Sequence, residues 1–209
     1  SKIFREDADQ SEIFKDVAMP LLKQFMHGVD TLLFAYGATS AGKTFTVQGT
    51  NSAPGLLPRI IQTLLNTPCT PGFERGLFVT CVEIYNERIY DLLGDSTDSL
   101  RLGRDAFGYH IVKGVAEFEL TSLDSFNAVL KKITSNRRKA STSQNKQSSR
   151  SHCIFSLKLI TIPLNPVTGS RVSDLSKMKC SRLSIVDLAG SERISDDEHN
   201  SSIVSEACN

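Results

Sequence analysis

Eight consecutive residues, Gly37-Ala38-Thr39-Ser40-Ala41-Gly42-Lys43-Thr44, have the types and spacing that phosphate chemistry needs. They satisfy G-x-x-x-x-G-K-[ST], in which glycines let backbone N–H groups curl around phosphate oxygens. A helix opening at Lys43 would add the partial positive charge of its N-terminus. Lys43 would reach the β- and γ-phosphates, and the Thr44 hydroxyl would bind Mg²⁺. With average residue frequencies the pattern arises by chance at roughly one position in 10⁴–10⁵. The bland alternative is a glycine turn with an exposed lysine.

Two later stretches carry chemistry of a compatible kind. Asn145-Lys146-Gln147-Ser148-Ser149-Arg150-Ser151-His152 is polar and crowded with hydroxyls just before an apolar run. Asp187-Leu188-Ala189-Gly190-Ser191-Glu192 closes another apolar run. An aspartate at the C-terminal end of a strand is where phosphate-loop NTPases handle Mg²⁺. Taken alone, a solvated loop and a simple turn are the better accounts of these two stretches.

The elements that must position these residues are readable from hydrophobic spacing. Ile13, Phe14, Val17, Leu21, Leu22 and Phe25 recur at helical intervals, which predicts a helix over residues 11–27 that Pro20 kinks or divides. Thr31 to Tyr36 reads as a buried strand feeding the glycine-bounded loop, and a helix follows from Lys43. Another helix runs near Leu56 to Leu65, with Pro58 in its first turn. Leu77 to Tyr85 is a central-strand candidate, and residues 99–112 read as short strands around a glycine-containing loop. Thr121 and Asp124 form a capping-box-like start for a helix that ends in Arg137-Arg138-Lys139. Cys153 to Ile162 and Arg182 to Leu188 have no helix between them, only a loop with Pro163, Pro166 and Gly169. They are therefore expected to be an antiparallel pair in a mixed sheet of an α/β domain.

Composition adds bounds rather than chemistry. The 209 residues, 40% hydrophobic and 22% charged, suit one sizeable globular domain or at most two small ones. A net charge of +1 gives no global hint about partners. No stretch is long and apolar enough to cross a bilayer. The first residues show no signal-peptide pattern and, beginning at Ser1 rather than Met, say nothing about targeting. Five scattered cysteines without C-x-x-C spacing suit a reducing compartment, and His152-Cys153 has no second pair to complete a metal site.

Together, the three polar stretches resemble the phosphate loop, switch I (N-x-x-S-S-R-S-H) and switch II (D-L-A-G-S-E) of the kinesin family, in that family's order. Between them, Glu83-Ile84-Tyr85-Asn86-Glu87 and Tyr90-Asp91-Leu92-Leu93 resemble its E-I-Y-N-E…Y-D-L-L signature. Gly55-Leu56-Leu57-Pro58-Arg59 matches its G-[IL]-[IL]-P-R, and Asn136-Arg137 with Thr142 matches the lead-in to switch I. Singly these would be read as core packing or helix ends; the set covers nearly the whole chain. Ser40 to Thr44 would also suit a myosin phosphate loop, but Ser151-His152 and Leu188-Ala189 decide against it. An unrelated P-loop kinase or GTPase would bring a guanine-reading N-K-x-D motif or a substrate lid.

The resemblance implies a P-loop NTPase of kinesin type: a mixed central β-sheet flanked by helices on both faces, incomplete at both ends. Residues 1–209 would be a partial motor domain lacking the first strand and the C-terminal microtubule-binding helices and neck. ATP would be held by Gly37, Ala38, Thr39, Ser40, Ala41, Gly42, Lys43 and Thr44. Phe45 falls where the family often places an aromatic or His beside adenine, although a helix Phe buried in the core fits as well. Thr44, Ser148, Ser149 and Asp187 would serve Mg²⁺. Ser149, Arg150, Gly190 and Glu192 would form the catalytic set, with an Arg150–Glu192 salt bridge closing the site and Gly190 N–H sensing the γ-phosphate. The implied partner is the microtubule (tubulin), with neither nucleic acid nor membrane, in a parent homodimerised by a coiled coil outside this chain. The implied location is the cytoplasm and cytoskeleton, with spindle or midzone microtubules for the mitotic kinesin-like, central-spindle branch that Gln48-Gly49-Thr50 and Ala18 to Leu21 most resemble. Ala38 and Ala41 depart from the commonest loop, G-Q-T-x-S-G-K-T. Asp196-Asp197-Glu198 puts acid in a loop that normally meets the acidic microtubule, which leaves open a non-motile, microtubule-binding scaffold with slow ATP turnover. The fragment by itself is expected to expose sheet edges and apolar faces, and to be poorly stable and poorly active.

Overall fold

The computed structural model describes residues 2–104, 110–141, 150–172 and 174–192. Its N-terminal helix is built of three pieces, α1 (Gln10–Ile13), a π-helical turn (Phe14–Ala18) and α2 (Met19–Met26). The helix divides just before Pro20 rather than at it. Pro20 has no N–H to offer the Asp16 carbonyl, and a wider turn, with Met19 N–H bonded to Phe14 O, absorbs the fault. Further along come α3 (Lys43–Val47), α4 (Leu56–Asn66) and α5 (Leu123–Ser141).

Among the described residues, eight strands form one sheet. They are β1 (Thr31–Ala35), β2 (Phe73–Tyr85), β3 (Arg88–Asp91), β4 (Ser99–Arg104), β5 (His110–Lys113), β6 (Phe118–Glu119), β7 (His152–Pro163) and β8 (Lys179–Asp187). The spatial order is β1-β8-β7-β2-β3-β4-β5, and β6 shares with β3 the second edge of β2. β7 and β8 are antiparallel as expected, β1 and β8 are parallel, and the sheet is mixed. Spacing alone did not reveal β3 or β6, whose four and two residues are too short for alternation to register.

Alternation places the core. Leu77, Val79 and Cys81 of β2, Cys153, Phe155, Leu157 and Leu159 of β7, Leu183 and Ile185 of β8 and Leu33 of β1 all join one apolar cluster. The same cluster takes Leu22 and Phe25 of α2, Val47 of α3, Leu57, Ile60, Ile61 and Leu64 of α4, and Phe126, Val129 and Ile133 of α5. Among the described residues, therefore, the helices pack on one face of the sheet. The consequence is visible at β1, which is not the fully buried strand its apolar run suggested. As a terminal strand with one face open it leaves Leu32 and Phe34 56% and 60% exposed, and Tyr36 beyond it 73% exposed.

The start of α5 also differs from its expected form. Ser122 and Ser125, one residue later than Thr121 and Asp124, make the reciprocal cap. The Ser122 hydroxyl accepts from Ser125 N–H at 3.1 Å, and the Ser125 hydroxyl accepts from Ser122 N–H at 3.2 Å. Cys69 and Cys180 are exposed, whereas Cys81 and Cys153 are buried with their sulfurs 3.8 Å apart. Burial, reinforced by the Cys153 sulfur, pushes the Cys81 thiol up.

Phe155 is fully buried at the centre of β7, between β8 and β2. Phe155→Ala is expected to destabilise the domain by ~3–5 kcal/mol through lost apolar burial and the cavity left behind. Urea denaturation measures this, and a loss under ~1 kcal/mol would show that this face is not a packed core.

Candidate nucleotide-binding site

The register of the sheet assembles the candidate site. Ala35, the last residue of β1, lies opposite Asp187, the last of β8, and Asp187 lies opposite Cys153 near the start of β7. Parallel β1 and β8 thus release their following loops at the same sheet edge, and antiparallel β7 begins there. Stretches separated by about 150 positions of chain converge without any of them having to be long.

The loop after β1 has the backbone its glycines forecast. Gly42, at φ +86°, caps α3 in the left-handed region, where a side chain is strained. Ser40 also has positive φ, at +66°. Ala38, Thr39, Ser40 and Ala41 are exposed, and Gly37, Gly42 and Lys43 are half-buried. The Lys43 ammonium folds back onto the loop and donates to Gly37 O and Ala38 O, each at 2.8 Å. Thr44, the first residue after it, donates its hydroxyl to Asp187 Oδ2 at 2.6 Å.

Switch II is docked against this loop by backbone bonds. Leu188 N–H donates to Ala35 O at 3.3 Å and Ser191 N–H to Gly37 O at 3.1 Å. Between them, Ala189 N–H donates to His152 Nδ1 at 3.1 Å, so this nitrogen is the unprotonated one. Gly190 sits so close to the Thr39 hydroxyl and the Glu192 carboxylate that an added Cβ would overlap both. Glu192 accepts from Thr39 N–H at 2.8 Å and from the Thr39 hydroxyl. The Thr39 hydroxyl and amide hold its carboxyl below the usual glutamate value. A carboxylate therefore already engages a loop N–H of the kind that binds phosphate oxygens.

The donor set fits a hydrated divalent cation. Asp187 is 4% exposed, with one oxygen on Thr44 and the other, Oδ1, buried with no hydrogen-bond partner among the described residues. A buried carboxylate oxygen left unpaired is costly unless a cation or its water meets it. Asp187 and Thr44 are hard oxygen donors, the kind Mg²⁺ takes from protein while keeping several waters. Ser148 and Ser149, also assigned to the metal from sequence, lie outside the described residues, as does Asp196-Asp197-Glu198. Arg150 is half-buried, directly before the buried Ser151.

Phe45 is 48% exposed, unlike Val47 two residues on, which is fully buried. It is not a core residue of α3, and its ring remains available beside the loop. Its carbonyl accepts from Gln10 Nε2 at 2.7 Å, which docks the N-terminal helix onto α3. Spacing gave no notice of Gln10. A second omission is the set formed by buried Glu83 and Ser151 with half-buried Arg137, though one signal was present: Glu83 continues the apolar alternation Leu77, Val79, Cys81 into a core position, where a carboxylate needs a partner.

With this geometry in place, the family model described as Kinesin motor domain matches residues 1–209. Kinesin-like protein KIN-5C of Arabidopsis thaliana is 35% identical over 219 residues, covering 93% of this chain and 21% of that protein. A solved structure titled "kinesin 6" superposes with a TM-score of 0.86 at 28% identity, over 100% of this chain and 68% of that one. Another, titled "Structure of a fast kinesin: Implications for ATPase mechanism and interactions with microtubules", gives 0.86 at 31% identity, over 99% and 58%. The chain spans about a fifth of the length of the curated relatives it matches.

Gly190→Ala is expected to push the Glu192 carboxylate off Thr39, since the new methyl occupies the place where they meet. The Thr39 amide resonance would shift in a ¹⁵N-correlated spectrum; an unmoved resonance would show that switch II does not rest on the loop.

Proposed function

This chain belongs to the kinesin motor domain family, and from that premise we propose that the whole protein is an ATP-hydrolysing microtubule motor whose nucleotide-binding and nucleotide-sensing part lies in these residues. The observation that carries the reading is the Thr44–Asp187 hydrogen bond of 2.6 Å beside the orphaned Asp187 Oδ1, at the edge where the phosphate loop and switch II meet. Gly37 to Thr44 would cradle the phosphates by backbone N–H groups, with Lys43 turning from Gly37 O and Ala38 O onto the β- and γ-oxygens. Phe45 would flank the adenine. Thr44 and Asp187, with Ser148 and Ser149, would hold Mg²⁺, which when bound neutralises charge developing on the phosphate oxygens.

Phosphoryl transfer asks the protein for positioning and charge stabilisation more than for a strong base. In that scheme Gly190 N–H reports the γ-phosphate, and Ser149 and Arg150 complete the wall around the attacking water. Glu192 leaves Thr39 when phosphate takes the loop N–H groups, and is then free to pair with Arg150. Binding thereby exchanges one switch II contact for another, which couples nucleotide state to loop order. The microtubule is the partner that this coupling would serve. Homodimerisation through a coiled coil elsewhere in the protein, and a cytoskeletal, spindle-midzone location, extend the proposal. The branch is supported by Gln48-Gly49-Thr50 and Ala18 to Leu21 and by likeness to the structure titled "kinesin 6".

In the full-length protein, Lys43→Ala should weaken ATP binding by ~10–100-fold, the worth of one or two charge-assisted hydrogen bonds. Titration with a fluorescent ATP analogue checks it, and unchanged affinity would remove Lys43 from the phosphate site. Glu192→Ala should leave ATP binding within ~3-fold while slowing microtubule-stimulated phosphate release by ~100-fold or more. Wild-type turnover in that variant would discredit the role of Glu192.

A further inference from the structure

A single row of residues crosses the sheet at its functional edge. Ala35 of β1, Asp187 of β8, Cys153 of β7 and Glu83 of β2 are successive register partners. Asp187 and Glu83 close the buried rows of their own strands, so both carboxylates face the helices, two strand spacings apart, or ~10 Å. Asp187 belongs to the nucleotide site. Glu83, 3% exposed, has no part in the mechanism above.

Glu83 joins two stems of chain. Its Oε1 accepts from Arg137 Nε at 3.1 Å and from the Ser151 hydroxyl at 2.7 Å, while Arg137 Nη2 donates to Ser151 Oγ at 3.3 Å. Arg137 lies in the last turns of α5, and Ser151 immediately precedes β7. Asn136 secures the same part of α5 to Leu92 O and Gly94 O at 3.1 and 3.4 Å. Residue 152 follows directly, and its Nδ1 holds Ala189 N–H, next to Gly190. A continuous path thus runs from Glu83 through Ser151 and His152 to the backbone of switch II.

We propose that Glu83 is a positioning residue for nucleotide turnover, acting through Ser151 and His152 to hold Arg150 and the Ala189-Gly190 backbone in register with the phosphate loop. The inference rests on the ATPase reading of the site. Stability is a poor explanation for the arrangement, because desolvation offsets most of the attraction in a buried ion pair. An apolar side chain at 83 would simply extend the row Leu77, Val79, Cys81. What such a side chain lacks is the ability to fix two polar stems at a single point.

The test uses the full-length protein with two changes. Ser151→Ala cuts the path at its middle, and the double variant Glu83→Gln/Arg137→Gln removes both charges, leaving neither buried and unpaired. Circular dichroism confirms folding. In both, kcat for microtubule-stimulated ATP hydrolysis should fall ~10–100-fold while KM for ATP stays within ~3-fold, since misplacement costs turnover before binding. Deuterium uptake in the peptide covering residues 184–192 should quicken in parallel. Wild-type kcat in folded Ser151→Ala, or lost kcat with unchanged uptake, overturns the proposal, and Ser151→Ala decides alone if the double variant does not fold. A wild-type protein without microtubule-stimulated turnover overturns the functional reading instead; deuterium uptake then still judges the path, quickening upholding it and constancy overturning it.

Discussion

Parallel pairing of β1 with β8 is the constraint on which the rest of the molecule depends. The two strands lie far apart in sequence, and closing so long a loop costs entropy that only burial elsewhere can offset. Once Ala35 stands opposite Asp187, the phosphate loop and switch II have no freedom to separate. Their backbones bond through Leu188, Ser191, Ala35 and Gly37, and the Thr44 hydroxyl falls within reach of Asp187. A slip of one residue would turn Asp187 to the opposite face of the sheet and destroy the site. The apolar residues that precede it, Leu183 and Ile185, prevent that slip because they would have to leave the core as well.

The same alternation explains why the polar groups are where they are. Strands β2 and β8 bury apolar side chains at every second position and then, at the functional end, bury a carboxylate in the next such position. Each carboxylate needs a compensating partner, because an unpaired charge in the interior is costly. Glu83 meets Arg137 and Ser151 within the protein. Asp187 meets Thr44 with one oxygen only, and the other lacks a partner among the described residues. The completed set has the character of a strut, and the incomplete one has the character of a binding site.

Much of this was legible in the residues because local chemistry is written in local patterns. The glycines and Lys43-Thr44 announced a phosphate loop and the helix after it, and Leu56 to Leu65 announced α4 by its spacing. The antiparallel relation of β7 to β8 followed from the lack of a helix between them. Where the reading failed, a choice between near-equal neighbours decided the outcome. Ser122 and Ser125 outcompete Thr121 and Asp124 as a cap because their hydroxyls can satisfy each other's N–H groups. The strain around Pro20 moved upstream because a π turn accommodates a missing donor better than a kink among buried Ala18, Leu22 and Phe25 does.

The linear chain by itself determined the candidate chemistry: which residues are of a type to wrap phosphate, which are of a type to donate hard oxygens, and which segments alternate. Those properties belong to side chains and to spacings of a few residues, so they survive without a fold. Tertiary structure alone decided which surfaces are covered and which polar groups meet. Leu32 and Phe34 read as buried until the sheet placed β1 at its end with one face open. Arg137 and Ser151 read as a helix end and a loop until strand register brought both onto Glu83. Contacts between residues distant in sequence depend on register across the whole sheet, and no window of a few residues contains that information.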